Sequence, residues 1–160
     1  MAYLLDSNVF IEAKNRYYGF NFHPGFWKWL DHAHAQGSLI SIKQVRDELL
    51  ERDDKLALWC KSRKSMFVDT DDAKTYESMK FLAPWVCQNY QPAAQAKFLG
   101  CADCVLVAFA DAHKHTIVTI EKAADGFEVK IPNACKEMGV PVISPFQMLA
   151  AEKVKFHFNP

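Results

Sequence analysis

Short runs of apolar residues alternate along the chain with stretches in which apolar positions recur at helical spacing. A short apolar run before a polar turn is typical of a buried strand, whereas the helical spacing is typical of an amphipathic helix. The predicted strands cover residues 2–5, 38–41, 66–68, 116–120 and 140–143. The predicted helices cover residues 9–14, 24–37, 55–60, 73–86, 101–112 and 131–138, and two more begin near residues 41 and 144.

This order of elements predicts an α/β fold. Strands separated by helices favour a central, mostly parallel sheet that is covered on both faces by helices. Residues 116–120 are apolar and rich in β-branched side chains, which is typical of an interior strand. Ser41 and Gln44 have the spacing of a capping box and predict the start of a helix. Residues 92–100 have no clear pattern and stay unassigned.

Composition and charge indicate a single folded domain over residues 1–160. The chain has a mass of 18.3 kDa and is 50% hydrophobic, which excludes a largely disordered protein. Its 19 basic and 19 acidic residues balance, so overall positive charge cannot hold a nucleic acid, and a local patch or a metal ion is needed. Residues 153–160 alternate polar or charged with aromatic residues and predict an added edge strand or a loose tail.

The ends and the cysteines favour a cytoplasmic location. The first residues, MAYLLD, do not resemble a secretion signal, and no apolar run is long enough to span a membrane. An odd number of cysteines, five in all, lies at irregular spacing, which favours reduced thiols. We therefore expect a protein of the cytoplasm with no membrane partner.

Four acidic residues lie near the ends of the predicted elements. Asp6 follows the first strand and Glu121 follows strand 116–120. Asp103 lies in the first turn of the helix before that strand, and Glu48 lies on the helix after the second strand. Ligands of open α/β sheets bind beyond the carboxyl ends of the strands. These four carboxylates could therefore converge at one edge of the sheet.

Converging carboxylates predict a divalent metal ion, because like charges at close range destabilise one another unless a cation is present. Mg²⁺ or Mn²⁺ suits oxygen ligands, and such an ion can activate water for attack on a phosphodiester. Structural alternatives remain open. Asp6 could be a helix cap, Glu48 could belong to a solvated helix face, and Asp103 could simply favour the helix dipole.

The ordered set of motifs resembles the PIN-domain family of metal-dependent ribonucleases, over nearly the whole chain. An apolar strand followed by Asp, a hydroxyl residue and an apolar helix start resembles the first motif of that family. The five matching segments are residues 3–11 (YLLDSNVFI), 41–49 (SIKQVRDEL), 102–110 (ADCVLVAFA), 117–121 (IVTIE) and 140–145 (VPVISP). The aromatic stretch 17–30 resembles a less characterised, VapC-like branch found among toxin–antitoxin pairs. The resemblance implies a three-layer α/β/α fold.

By position, the resemblance implies that Asp6, Glu48 and Asp103 are ligands of Mg²⁺ or Mn²⁺ and that Glu121 is the fourth acid. The family more often has Asp at the fourth position, so Asp125 is an alternative.

The basic residues near the first two motifs are candidates for contact with RNA phosphates. Ser7, beside the first acid, could orient that acid or contact a phosphate. The candidate RNA contacts are Ser7, Lys14, Arg16, Lys43 and Arg46.

The resemblance implies an endoribonuclease that leaves 5′-phosphate and 3′-hydroxyl ends, acts as a toxin, is silenced by a cognate antitoxin and forms a homodimer. The alternative is a non-catalytic PIN-like module that binds RNA or protein, since a Glu at position 121 departs from the common pattern. A phosphotransferase with Asp6 as nucleophile is a third interpretation, but it calls for an Asp at position 8, where the chain has Asn8.

Overall fold

A computed structural model describes residues 1–157 and contains a five-stranded parallel sheet. Along the sheet the strands lie in the order β3-β2-β1-β4-β5, and every neighbouring pair is parallel. In chain order the strands are β1 Tyr3–Leu5, β2 Leu39–Ile42, β3 Phe67–Val68, β4 Thr116–Val118 and β5 Val142–Ile143. In the register of the central strand, Leu4 lies opposite Ile40 on one side and Ile117 on the other.

Helices connect these strands and cover both faces of the sheet. Leu4 and Leu5 are consecutive in β1 and point to opposite faces, yet both are fully buried. The helices are α1 Ser7–Glu12, α2 Pro24–Ala35, α3 Lys43–Leu50, α4 Lys55–Lys61, α5 Ala73–Asn89, α6 Pro92–Leu99, α7 Ala102–His113, α8 Ile131–Met138 and α9 Pro145–Ala151. A π-helical turn, Ala13–Tyr17, continues α1, and a 3-10 turn, Lys64–Met66, precedes β3.

The structure corrects the predicted capping box at residue 41. Ser41 is the third residue of β2 and is fully buried, and its hydroxyl donates to the backbone oxygen of Leu5 at 2.6 Å. Gln44 instead donates from its side-chain amide to Thr70 at 2.8 Å. Helix α3 has Ile42 at its N-cap, which has no side-chain oxygen. The strand extends further than predicted because Ser41 links it to β1.

Two predicted strands are too long. The strand predicted over residues 116–120 ends at Val118, and the one predicted over 140–143 is confined to Val142–Ile143. The backbone N–H of Thr119 still donates to the oxygen of Ile143 at 3.0 Å, but its side chain turns toward β1. Residues 92–100, which had no prediction, are mostly α6.

The predicted edge strand of the C-terminal tail is wrong for the residues that the structure describes. Residues 154–157 form no strand. Phe156 packs edge-on against the ring of His23, with centroids 4.6 Å apart, and lies over Gly25. The rest of the predicted tail, residues 158–160, lies outside the described residues.

No single helix in residues 1–157 is both long and apolar enough to cross a membrane, although α6 and α7, which meet at 66°, satisfy length and composition as a bent pair. The residues of α7 are mostly buried, and α7 packs most extensively against α5.

The order of the strands fixes where a ligand can bind. From β1, the chain continues to β2 on one side of the sheet, whereas β4 pairs with the other side of β1. The carboxyl ends of β1 and β4 therefore flank a topological switch point, where open α/β sheets bind their ligands.

Candidate active site

Asp6 lies at the switch point, directly after β1. It occupies the N-cap position of α1, but its side chain makes no capping hydrogen bond. One carboxylate oxygen accepts from the hydroxyl of Thr119 at 2.8 Å, and the other accepts from the hydroxyl of Ser7 at 3.3 Å. Asp6 is only 1% exposed. Its side chain is thus held by two hydroxyl donors rather than by capping hydrogen bonds from the backbone of α1.

Burial and neighbouring acids disfavour the charged form of Asp6. Burial, followed by the negative charges of Asp103 and Glu121, raises the pKa of Asp6 to about 7 although the Thr119 hydrogen bond lowers it. Burial favours the neutral form because the low dielectric penalises charge. A buried carboxyl group without a cationic partner, coupled to two other acids, is typical of a functional site rather than of a structural ion pair.

Asp103 is half-buried and lies in the first turn of α7. Together with Asp6, Glu48 and Glu121 it forms the acid cluster. Burial, followed by the negative charges of Glu121 and Glu48, raises the pKa of Asp103 to about 6. A hydrogen bond involving Cys101 and the positive charge of Lys130 lower it. The four acids predicted from sequence therefore interact electrostatically in the folded chain.

Glu48 reaches from α3 to the start of α7. One of its carboxylate oxygens accepts from the backbone N–H of Ala102 at 3.2 Å. Cys101, at the N-cap of α7, provides no side-chain cap, so Glu48 satisfies one of the donors that every helix start leaves free. Glu48 thus faces α7 and the Asp103 cluster. It does not lie on a purely solvated face, which was the structural alternative.

Glu121 lies in the loop after β4 and is anchored in a similar way. One oxygen accepts from the backbone N–H of Ile131, the first residue of α8, at 3.1 Å. The other oxygen is 3.7 Å from the ammonium of Lys130. Asp125, the alternative fourth acid, is exposed in the loop between β4 and α8. Glu121, in contrast, is half-buried and raises the pKa of both Asp6 and Asp103.

A family model for a domain of unknown function, DUF4411, matches residues 3–156. The chain belongs to this family. The matched residues include all four acids of the cluster together with Thr119. No curated protein matches the chain.

The fold of this DUF4411 chain resembles that of a chain in the crystal structure of VapBC2 from Rickettsia felis bound to a DNA fragment from their promoter. The two chains are 16% identical, with a TM-score of 0.55 over 90% of this chain and 98% of that chain. At this identity the likeness concerns the fold. It confirms the predicted three-layer α/β/α PIN-like fold.

The four acids of the DUF4411 chain fit a hard divalent cation by their chemistry but do not form a closed set of ligands. All their donor atoms are carboxylate oxygens, which Mg²⁺ and Mn²⁺ prefer, and a cation would relieve the charge repulsion that raises the pKa of Asp6 and Asp103. Among residues 1–157, however, no group of three or more His, Cys, Asp or Glu side chains is arranged to hold a metal ion. An ion shared by three of these acids therefore requires side-chain rotation.

The basic residues suggested as RNA contacts do not form a common surface in the DUF4411 chain. Lys14 pairs with Asp54 at 2.9 Å, and Arg16 pairs with Glu12 at the same distance. Arg46 donates to the backbone oxygen of Cys60 at 3.4 Å.

Lys43, the remaining basic candidate, is exposed and lies at a cavity whose lining includes Asp47, Asp69 and Asp71. Acidic neighbours of this kind oppose the approach of a phosphate.

Two residues beside the acids were not singled out from sequence. Thr119 donates to Asp6 and accepts from the backbone N–H of Glu121 at 3.0 Å, so it connects the two acids. The only feature of the sequence that could have indicated a role for Thr119 is its position two residues before Glu121. Lys130 is half-buried near Glu121 and brings positive charge to Asp103. Nothing in the local sequence distinguishes Lys130 from other lysines.

Proposed function

We propose that this chain is a Mg²⁺- or Mn²⁺-dependent endoribonuclease. The observation that carries the proposal is the buried carboxyl group of Asp6 at the switch point, which has no cationic partner among residues 1–157 and is coupled to Asp103 and Glu121. Structural acids are usually paired with cations or used as helix caps. An acid cluster that destabilises its own charge at the ligand-binding edge of a sheet is best explained by binding of a cation.

The ion would be held by Asp6 and Asp103, with Glu48 and Glu121 completing its surroundings. When bound, such an ion supplies activation of a water molecule and polarisation of a phosphoryl oxygen. The remaining roles belong to the chain itself. Thr119 and Ser7 fix the orientation of Asp6 through their hydroxyl groups.

Lys130 adds a positive charge beside Glu121. Its ammonium also lies 3.3 Å from a carboxylate oxygen of Glu128, so its role is to offset negative charge beside the acids.

Cleavage of RNA by the purified protein tests this proposal. We expect Mn²⁺-dependent cleavage that leaves 5′-phosphate ends, and we expect Asp103→Asn to reduce the rate by at least about 100-fold, the scale seen when one charge-stabilising group is removed from an active site. The matched control is Asp111→Asn on the same helix. Asp111 bonds to Ser78 and Lys114, outside the acid cluster, so its variant should cleave at the wild-type rate. Absence of cleavage by the wild type would contradict the proposal.

A non-catalytic PIN-like module that binds RNA or protein is the second candidate. It is favoured by the carboxylate oxygens of Glu48 and Glu121 that already bond to the starts of α7 and α8. Thermal unfolding with and without Mn²⁺ distinguishes the two candidates, because a ligand of the folded state raises the melting temperature. A metal-independent melting temperature combined with RNA binding but no cleavage would favour the module.

We also propose that the chain acts in the cytoplasm as a toxin that a cognate antitoxin protein binds. The PIN-like fold shared with a chain of VapBC2 supports this proposal. Expression of the wild type in cells should then arrest growth and fragment RNA, whereas the Asp103→Asn variant should do neither. Unimpaired growth with intact RNA would contradict the toxin role. The homodimer stays a prediction for size measurements in solution.

A further inference from the structure

A groove next to the acid cluster opens at the carboxyl ends of β4 and β5. It encloses about 370 Å³, a volume within the usual range of small-ligand clefts. Glu121, one of the four acids, and Thr119, which donates to Asp6, also line this groove. The groove therefore adjoins the site at which we place the scissile phosphate, and Thr119 and Glu121 lie at the border between the two.

The walls of the groove are largely apolar. Its apolar lining comes from Ile120 after β4, Pro132 in the first turn of α8, and Val142 and Ile143 of β5. Nucleobases that are not paired with another strand bind proteins through contact of their faces with apolar or aromatic side chains and through hydrogen bonds at their edges. A phosphate would gain nothing from these walls, whereas a base would bury its faces there.

Ser144 and Gln147 form a polar rim that is held in place by the start of α9. The Ser144 N–H donates to the side-chain oxygen of Gln147 at 2.8 Å, and the Gln147 N–H donates to the Ser144 hydroxyl oxygen at 3.1 Å. This reciprocal capping box fixes the side-chain oxygen of Gln147. The amide nitrogen of Gln147 donates no hydrogen bond to any of the residues that the structure describes, so its N–H groups are oriented and available at the edge of the groove.

We propose that this groove is a nucleobase subsite, which binds the base of one nucleotide next to the scissile bond and reads an acceptor on its edge through the side-chain amide of Gln147. The inference rests on the proposed nuclease function and deepens it, because it assigns the preference for a particular RNA base to this groove. A base fits the groove better than a charged peptide side chain would, because apolar residues form its walls. Glu121 and Lys122 also line the groove, so a side chain of either charge would meet a like charge there.

Binding of the four ribonucleosides to the metal-free protein tests the subsite without any dependence on cleavage. Nuclear magnetic resonance titrations should shift the methyl signals of Val142 and Ile143 and the side-chain amide signal of Gln147, and free ribose should shift none of them. Gln147→Glu keeps an oxygen for the capping box but removes the N–H donors. It should weaken binding of the preferred nucleoside by about five- to tenfold, the scale of one hydrogen bond.

The matched control is Gln88→Glu, which adds the same charge on an exposed position of α5 outside the groove. It should bind nucleosides like the wild type. Equal shifts with ribose, unshifted Val142 and Ile143 signals, or equal nucleoside affinity of the Gln147→Glu and wild-type proteins would overturn the subsite.

A pool of RNA sequences cleaved in Mn²⁺ separates this inference from the proposed function. The Gln147→Glu variant should cut with an altered preference at one nucleotide beside the cleaved bond, while the Gln88→Glu variant should keep the wild-type preference. An unaltered preference in an active Gln147→Glu variant would refute the subsite alone. A wild type that binds nucleosides in the groove but does not cut RNA would refute the nuclease while leaving the subsite in place.

Discussion

Three aspartates precede helices in this chain, and one of them behaves differently from the others. Asp54 and Asp72 occupy the N-caps of α4 and α5, and each accepts two backbone N–H hydrogen bonds from its helix. Asp6 occupies the N-cap of α1, but its side chain makes no capping hydrogen bond with the helix backbone. The same residue type at the same kind of position therefore stabilises two helix starts and leaves the third without a side-chain cap.

The pKa values of the three aspartates show the same division, with Asp6 on one side and Asp54 and Asp72 on the other. Burial raises the pKa of Asp54, but hydrogen bonds from Lys14 and from the Ala57 N–H outweigh it, so the net pKa is lowered. Hydrogen bonds from Thr75 and then His113 lower the pKa of Asp72. Only Asp6 has its pKa raised, to about 7.

The comparison teaches that position at a helix start does not identify a structural acid. What distinguishes the two classes is the set of partners: backbone N–H groups and side-chain donors around the structural acids, and other carboxylates around Asp6. The following predictions test this distinction.

The largest effect on RNA cleavage is expected for substitution of Glu121, the predicted fourth acid. Glu121→Gln retains an oxygen for the Ile131 N–H, so the fold should persist, but the charge that faces Asp103 is lost. We expect a rate of RNA cleavage about 100-fold lower, the upper range for loss of a group that supports a metal site.

The matched variant for the fourth acid is Asp125→Asn, in the exposed part of the same loop. It should cleave RNA at the wild-type rate, as measured in the same assay. A large loss in Asp125→Asn with little loss in Glu121→Gln would show that the assignment of the fourth acid is reversed.

The next prediction concerns stability. Asp6→Asn should raise the free energy of unfolding, whereas most substitutions of buried residues lower it. The pKa of Asp6 is about 7 in the folded chain and near 4 when unfolded. Ionisation of Asp6 therefore lowers the free energy of unfolding progressively as the pH rises from about 4 to about 7. Above pH 7 this loss of stability stays constant. A difference of about three pKa units corresponds to about 4 kcal/mol, so Asp6→Asn should stabilise the metal-free protein by up to about 4 kcal/mol at pH 8 and by little at pH 4.

Urea unfolding in the presence of a chelator, at a series of pH values, measures this difference. A stability gain that is equal at pH 4 and pH 8 would indicate a cause other than the charge of Asp6. A loss of stability at pH 8 would contradict the account of its electrostatics.

The smallest effect is expected for the structural acid Asp54. Asp54→Ala removes the capping hydrogen bonds to the Leu56 and Ala57 N–H groups and the ion pair with Lys14. We expect a loss of about 1–2 kcal/mol in the free energy of unfolding at pH 7, with RNA cleavage unchanged for the folded protein. A gain in stability, as expected for Asp6→Asn, would remove the contrast between the two residues.

The end of β1 before Asp6 could be predicted from the sequence because it depends on local pattern, whereas the role of the four acids as metal ligands stays a prediction. An apolar run that stops at Asp6 signals the end of a buried strand, and the parallel order of strands brings such ends to one edge. The ordered motifs then indicated the PIN-like fold, which the likeness to a VapBC2 chain confirms.

Features that depend on tertiary contacts could not be predicted. Thr119 bonds to Asp6 across 113 positions of the chain, and Lys130 lies beside Glu121 through the packing of α8. The capping box predicted at Ser41 is wrong because its hydroxyl is used by Leu5, a residue of another strand. Local propensity favoured the cap, whereas pairing of β1 with β2 decided the outcome.

The most direct measurement of the central claim is the binding of Mn²⁺ to the purified protein, followed through the electron paramagnetic resonance signal of the free ion. The wild type should deplete this signal, Asp6→Asn should not, and Asp54→Asn, which keeps an oxygen for its helix, should bind like the wild type. Equal binding by the wild type and Asp6→Asn, or no binding by the wild type, would contradict a cation site at the acid cluster.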